Sequence, residues 1–182
     1  MEWTLAESAA ILTKRISAGA GAPGINSGCL MGIIVVSFVF DAPVLDWLKA
    51  EGVDVPPDYR QSRWPSPNEL RTILESLPGY VVRYRGRQGQ DWDAEVVDAA
   101  RGYEGMSATI WVKGVQDPNA PHPFSFHKPW PELAVAILER ISRTCGPRVV
   151  TNDVYLRPVI VTAGCDPRER AERLDDPSPR RA

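Results

Sequence analysis

The chain is poor in the side chains that build disulfide frameworks and zinc centres: it has three cysteines and two histidines in 182 residues. Cys29, Cys145 and Cys165 are odd in number, widely spaced and without a CxxC pair, so a disulfide scaffold is excluded and three reduced thiols are expected. No Asn-x-Ser/Thr glycosylation sequon occurs. Long hydrophobic runs are also missing. The longest, Cys29–Phe40, is far shorter than the roughly 20 residues a membrane-spanning helix needs. It lies behind Glu2, Glu7 and a Gly-rich stretch, and no small-residue cleavage site follows it. Its β-branched content predicts a buried strand instead. These absences together predict a cytoplasmic protein with no membrane partner. Charge of one sign is lacking as well. With 21 Lys+Arg against 23 Asp+Glu, the net charge of −2 provides no general field to gather nucleic acid or an anionic membrane.

Glycine and proline are plentiful, at 14 and 17 residues, which predicts short elements joined by many turns. A hydrophobic share of 43% is ordinary for a globular domain, and the length suits one domain with tails. Leu5, Ala9, Leu12 and Ile16 recur at helical spacing and predict an N-terminal helix over residues 3–16, followed by a Gly-rich linker over 17–28. The expected organisation is therefore an appendage at 1–30, a single domain at 31–164 and a solvated, charged tail at 165–182.

Within the domain, strand signals occur at 32–40, 80–85, 92–98, 108–115, 124–126, 149–154 and 159–163. A short helix is expected at 44–51. Ser66-Pro67-Asn68-Glu69 is a capping-box signature, with Leu70, Ile73, Leu74 and Leu77 as the apolar stripe behind it. Pro131 opens a second helix with Leu133, Ile137, Leu138, Ile141 and Cys145 inward, and Glu132, Glu139, Arg140 and Arg143 toward water. Alternation in the hairpin puts Tyr80, Val82 and Tyr84 on one face with Trp92, Ala94 and Val96. Arg83 and Arg85 then oppose Asp93 and Glu95 on the other. The element order predicts an α+β fold with a mixed or mainly antiparallel sheet and two main helices packed on one face.

Catalytic and ligand-binding patterns are few. Gly19-Ala20-Gly21-Ala22-Pro23-Gly24 matches the dinucleotide fingerprint by letter, but a helix precedes it and no helix N-terminus follows, so it reads as linker. His122 and His127 flank a Pro-rich turn with no third ligand nearby, and no metal or cofactor is expected. No G-x-S-x-G elbow occurs. An Asp91 or Asp93 carboxylate, or a cysteine paired with His127, stands as the enzyme alternative. Six arginines (60, 63, 71, 83, 85 and 87) lie among Tyr59, Trp64, Tyr80 and Tyr84, which leaves a weak nucleic-acid-binding module as a further alternative.

Six tryptophans are an unusual number. Trp92 or Trp111 is expected to fill the core from the sheet, whereas Trp64 and Trp130 sit beside prolines at helix entrances. Tyr59-Arg60-Gln61-Ser62-Arg63-Trp64 concentrates the residue types that carry binding energy at protein interfaces. Trp64 has two readings here, as a contact or as a staple against the following helix. Tyr59, Arg60, Arg63, Trp64 and Trp130 are thus the predicted partner-binding residues of a non-enzymatic protein-binding domain. In element order, size and the helix-to-strand passage 130–151, the stretch 31–163 resembles the small immunity proteins that bacteria pair with polymorphic toxins. The resemblance implies a cytoplasmic binder that occludes a partner toxin's active site, and it assigns no individual residue.

Overall fold

In a computed structural model, residues 35–86, 91–153 and 157–176 are described. The expected N-terminal helix, the Gly-rich linker, Cys29 and Arg87 lie outside the described residues.

Strand β1 (Val35–Phe38) leads into helix α1 (Ala42–Ala50), whose start is fixed by Asp41 accepting the Val44 amide at 3.0 Å. Helix α2 (Pro67–Glu75) forms where the capping box predicted it. The Ser66 hydroxyl accepts the Glu69 amide, and the Glu69 carboxylate accepts the Ser66 amide. The hairpin β2 (Tyr80–Gly86) and β3 (Trp92–Asp98) continues into β4 (Gly102–Val112) and the short β5 (Ser125–His127). β4 begins earlier than expected, after an irregularity between Val97 and Asp98. It stops before Gly114 and Val115, whose amides turn to the Asp91 carboxylate. Helix α3 (Pro131–Cys145) follows, then β6 (Arg148–Asn152), β7 (Val159–Val161) and helix α4 (Pro167–Leu174).

The fold is α+β with wholly antiparallel pairing. The strands divide into two sheets, in the orders β1-β6-β7 and β2-β3-β4-β5. β1 and β5 run close together at the seam between them. The hairpin register pairs Arg83 with Glu95 and Arg85 with Asp93, so the alternation and charges of the two strands set it correctly. The inner face of the four-stranded sheet (Trp92, Ala94, Val96, Ala108, Ile110) packs on Leu70 and Leu74 of α2 and on Leu133, Ile137, Leu138 and Ile141 of α3. A smaller cluster on the opposite face of the three-stranded sheet joins Val44, Trp47 and Leu48 of α1 to Val149. Among the described residues no helix is long and apolar enough to cross a membrane.

Two sequence expectations need correction. The segment after Gly164 is not wholly a solvated tail. Asp166 caps α4, Ala171 and Leu174 are buried, and the Leu174 carbonyl accepts Asn152 Nδ2 at 2.7 Å. Glu139 does not face water: its Oε1 takes Arg143 Nε at 2.8 Å and the Gly164 amide at 2.7 Å, tying the turn before α4 to α3. Burial pushes the Glu139 carboxyl up, but the Arg143 and Gly164 hydrogen bonds outweigh it and the net shift is downward. Of the two candidate sheet tryptophans, Trp92 fills the core as expected, and Trp111 stands on the outer face.

Candidate functional site

Tyr59–Gln61 forms one 3₁₀ turn, and the loop running on to Trp64 is held from behind by the end of α3 and the start of β6. The Arg63 amide donates to the Cys145 carbonyl at 2.9 Å, and the Phe40 amide donates to Ser62 Oγ at 3.3 Å. Gly146 ends α3 at φ 75°, and a Cβ there would lie 2.5 Å from the Gln61 carbonyl carbon and 2.7 Å from the Ser62 nitrogen. Both the left-handed conformation and this approach to backbone require glycine.

Arg148 completes the clamp. Its Nη1 donates to the Arg63 carbonyl at 2.7 Å, its Nε donates to Ser37 Oγ at 3.2 Å, and its guanidinium lies 4.3 Å from the Trp64 ring centre. The residue is 0% exposed, and its Nη2 has no partner among the described residues. Burial pushes its pKa down to about 10, opposed in part by the neighbouring Cys145 sulfur. A buried cation is thus stabilised by a carbonyl, a hydroxyl and an aromatic face rather than by a carboxylate.

The loop's outward side carries Tyr59, Arg60 and Arg63. The Tyr59 ring rests on Phe40, with centroids 6.0 Å apart, and Arg60 folds over it, Nε donating to the Tyr59 hydroxyl at 3.2 Å. Arg63 forms a two-bond fork with Glu69, at 2.8 and 2.7 Å. That fork and the Ser66 amide hold the Glu69 carboxyl at about 2, well below its ordinary value.

Of the five predicted contact residues, the structure brings Tyr59, Arg60 and Arg63 together on this ledge. Trp64 is half-buried, meeting Phe124 edge-on at 5.7 Å and Arg148 face-on, so its staple role is realised, against the core rather than against α2 alone. Trp130 is 53% exposed but precedes α3, whereas the loop docks at that helix's other end. At 1.5 Å per residue the intervening helix spans about 22 Å, so Trp130 belongs to a separate surface. Gly146 and Arg148 are not among the predicted contact residues. The Gly146-Pro147 step is a helix-end signal in the sequence, but nothing local marks the arginine after it as buried.

A second feature lies on the outer face of the four-stranded sheet. Arg85, Asp93, Glu95, Thr109, Trp111 and His127 line an open cleft of about 280 Å³. The Trp111 and His127 rings stack at 4.2 Å. Both carboxylates are engaged: Asp93 by Lys113 at 3.0 Å, and Glu95 by the Tyr103 hydroxyl at 2.6 Å. Asp91 accepts backbone amides instead of lining the cleft. Cys145 is buried in the core, and burial raises the pKa of the Cys165 thiol. His122 Nε2 donates to the Lys113 carbonyl at 2.8 Å. Among the described residues no group of three His, Cys, Asp or Glu side chains is placed to hold a metal ion.

Comparison of the chain with family models, curated proteins and solved structures finds no match.

Proposed function

We propose that the protein is a non-enzymatic protein-binding domain whose contact surface is the ledge of Tyr59, Arg60 and Arg63, and that it serves as an immunity protein neutralising a partner toxin. One observation carries this reading: the loop is fixed from within by Arg148 and Gly146 while Arg60 and Arg63 are exposed and Tyr59 is half-buried beside them. A loop ordered before binding loses little further conformational entropy on association, which is how a few side chains come to dominate an interface. Trp64 supports the ledge from beneath, and Trp130 marks a second surface.

The test is co-purification with the product of a neighbouring gene, followed by titration of a Tyr59→Ala/Arg60→Ala variant. Arg60 is exposed and Tyr59 touches only Phe40 at the margin of the smaller core cluster, so the far-ultraviolet circular dichroism and urea midpoint of the variant are measured alongside and should stay close to the parent's. A single hot-spot residue contributes about 2 kcal/mol or more, so with at least one of the pair acting as one, affinity is expected to fall at least about 30-fold. Equal affinity would remove the ledge from the interface.

The outer-sheet cleft supports a second reading, a small enzyme or ligand binder using Asp93 and His127. It ranks below the first because Lys113 and Tyr103 already occupy the two carboxylates. The nucleic-acid alternative has less support. Arg60 and Arg63 lie on the ledge and Arg83 and Arg85 on the outer sheet face, while Arg71 stacks on Tyr84 at 3.9 Å.

A further inference from the structure

β2 is an edge strand. Its seven residues pair with β3 on one side, and no strand lies beyond it among the described residues. An edge of this length presents alternating backbone N–H and C=O groups to any extended chain that approaches. Its side chains restrict which chain that can be. Tyr80, Val82 and Tyr84 form a half-buried apolar row on the inner face. Val81, Arg83 and Arg85 form the outer row, with the Arg85 side chain 76% exposed.

The outer row carries an uncompensated positive charge. Arg83, Arg85 and Lys113 bring three cations to a surface where Asp93 and Glu95 supply two carboxylates. Asp93 is taken by Lys113 at 3.0 Å. Glu95 accepts the Tyr103 hydroxyl at 2.6 Å and stands 3.9 Å from Arg85, beyond hydrogen-bond range. Among the described residues Arg83 meets Tyr103, its Nη1 donating to the hydroxyl at 3.0 Å with the guanidinium 5.6 Å from the ring centre. A second copy pairing antiparallel about Arg83, Tyr84 or Arg85 would set arginine against arginine, and like charges directly opposed destabilise a ladder.

We infer that β2 accepts an extended peptide in which acidic and apolar residues alternate, added as a fifth strand to the four-stranded sheet. Its carboxylates lie opposite Arg83 and Arg85, and its apolar side chains extend the row of Val82 and Tyr84. This surface uses none of the Tyr59–Trp64 residues, so it stands or falls apart from the proposed ledge.

The test titrates the full chain with a fluorescein-labelled peptide alternating Glu and Val, followed by fluorescence anisotropy. Two control peptides accompany it, one with Lys replacing Glu and one N-methylated at alternate residues. The Glu–Val peptide is expected to bind, to slow amide exchange in β2, and to lose at least about tenfold in affinity for both R83E/R85E and R83Q/R85Q, which change only surface side chains. Equal binding of the Lys peptide, equal binding of the N-methylated peptide, unchanged affinity in both variants, or no binding at millimolar peptide would each overturn the inference. The arginines would then serve only to keep the edge from pairing.

Discussion

Arg148→Met isolates the clamp beneath the loop without touching its outer surface. The arginine's contribution is a difference of two larger effects. Burial lowers its pKa to about 10, and at roughly 1.4 kcal/mol per unit the shift corresponds to about 3 kcal/mol of unfavourable burial that methionine would relieve. Against this, methionine loses the charge-assisted bond to the Arg63 carbonyl, about 2 kcal/mol, the bond to Ser37, about 1 kcal/mol, and the face-on contact with Trp64, about 1–2 kcal/mol. The expected net loss is about 1–2 kcal/mol, or roughly 3–6 °C in Tm for a domain of this size. Arg148→Lys keeps a buried charge yet lacks the planar fork and the stacking face, so it is expected to be less stable than Arg148→Met. Urea unfolding measures both variants, and hydrogen exchange at the Arg63 and Trp64 amides should quicken in each. A methionine variant as stable as the parent with unchanged loop exchange, or a lysine variant more stable than methionine, would refute the reasoning.

Two further outcomes follow from the same structure. Because the Glu69 carboxyl is held at about 2 against an ordinary 4.5, its pairing stabilises the fold above about pH 4.5 and is lost progressively as the pH falls from there toward 2. The pair is some 40% exposed, so solvent screening reduces the contribution to about 1 kcal/mol, and acid titration of Glu69→Gln should lack that segment of the stability curve. Leu174→Ala is expected to lose about 2–4 kcal/mol in urea unfolding, since Leu174 is 1% exposed; no loss would mean that α4 does not pack.

The parts of the fold that could be read from sequence are those decided by near neighbours. The capping box at Ser66–Glu69 satisfies its own helix end, and the opposed charges of β2 and β3 report a register that the alternation of apolar residues also requires. Elsewhere local signals were outweighed or misleading. Asp166 and Pro167 open α4 in the structure, but a segment with only Ala171 and Leu174 to bury reads as too polar to pack, and α3 supplies the missing surface. Glu139 looked solvated on its helix, yet the turn after β7 brings the Gly164 amide to it from 25 positions away. Trp111 and Trp92 are alike in sequence terms, and only strand parity separates the core tryptophan from the one on the outer face.

For the candidate site the division is sharper. Composition singles out the Tyr59–Trp64 loop, because tyrosine, arginine and tryptophan are the residue types that carry binding energy at protein interfaces. Which of those side chains face outward is decided by a residue 85 positions later, where Arg148 takes the Arg63 carbonyl and covers the Trp64 ring. An arginine following Gly-Pro reads as surface, because burying an unpaired cation is unfavourable unless several acceptors converge on it. Here the converging groups come from β1 and from the loop itself, 111 and 85 positions from the arginine in sequence. Trp64 is therefore withdrawn from the ledge by the same contacts that hold the loop, and Tyr59, Arg60 and Arg63 are left as the proposed contact surface.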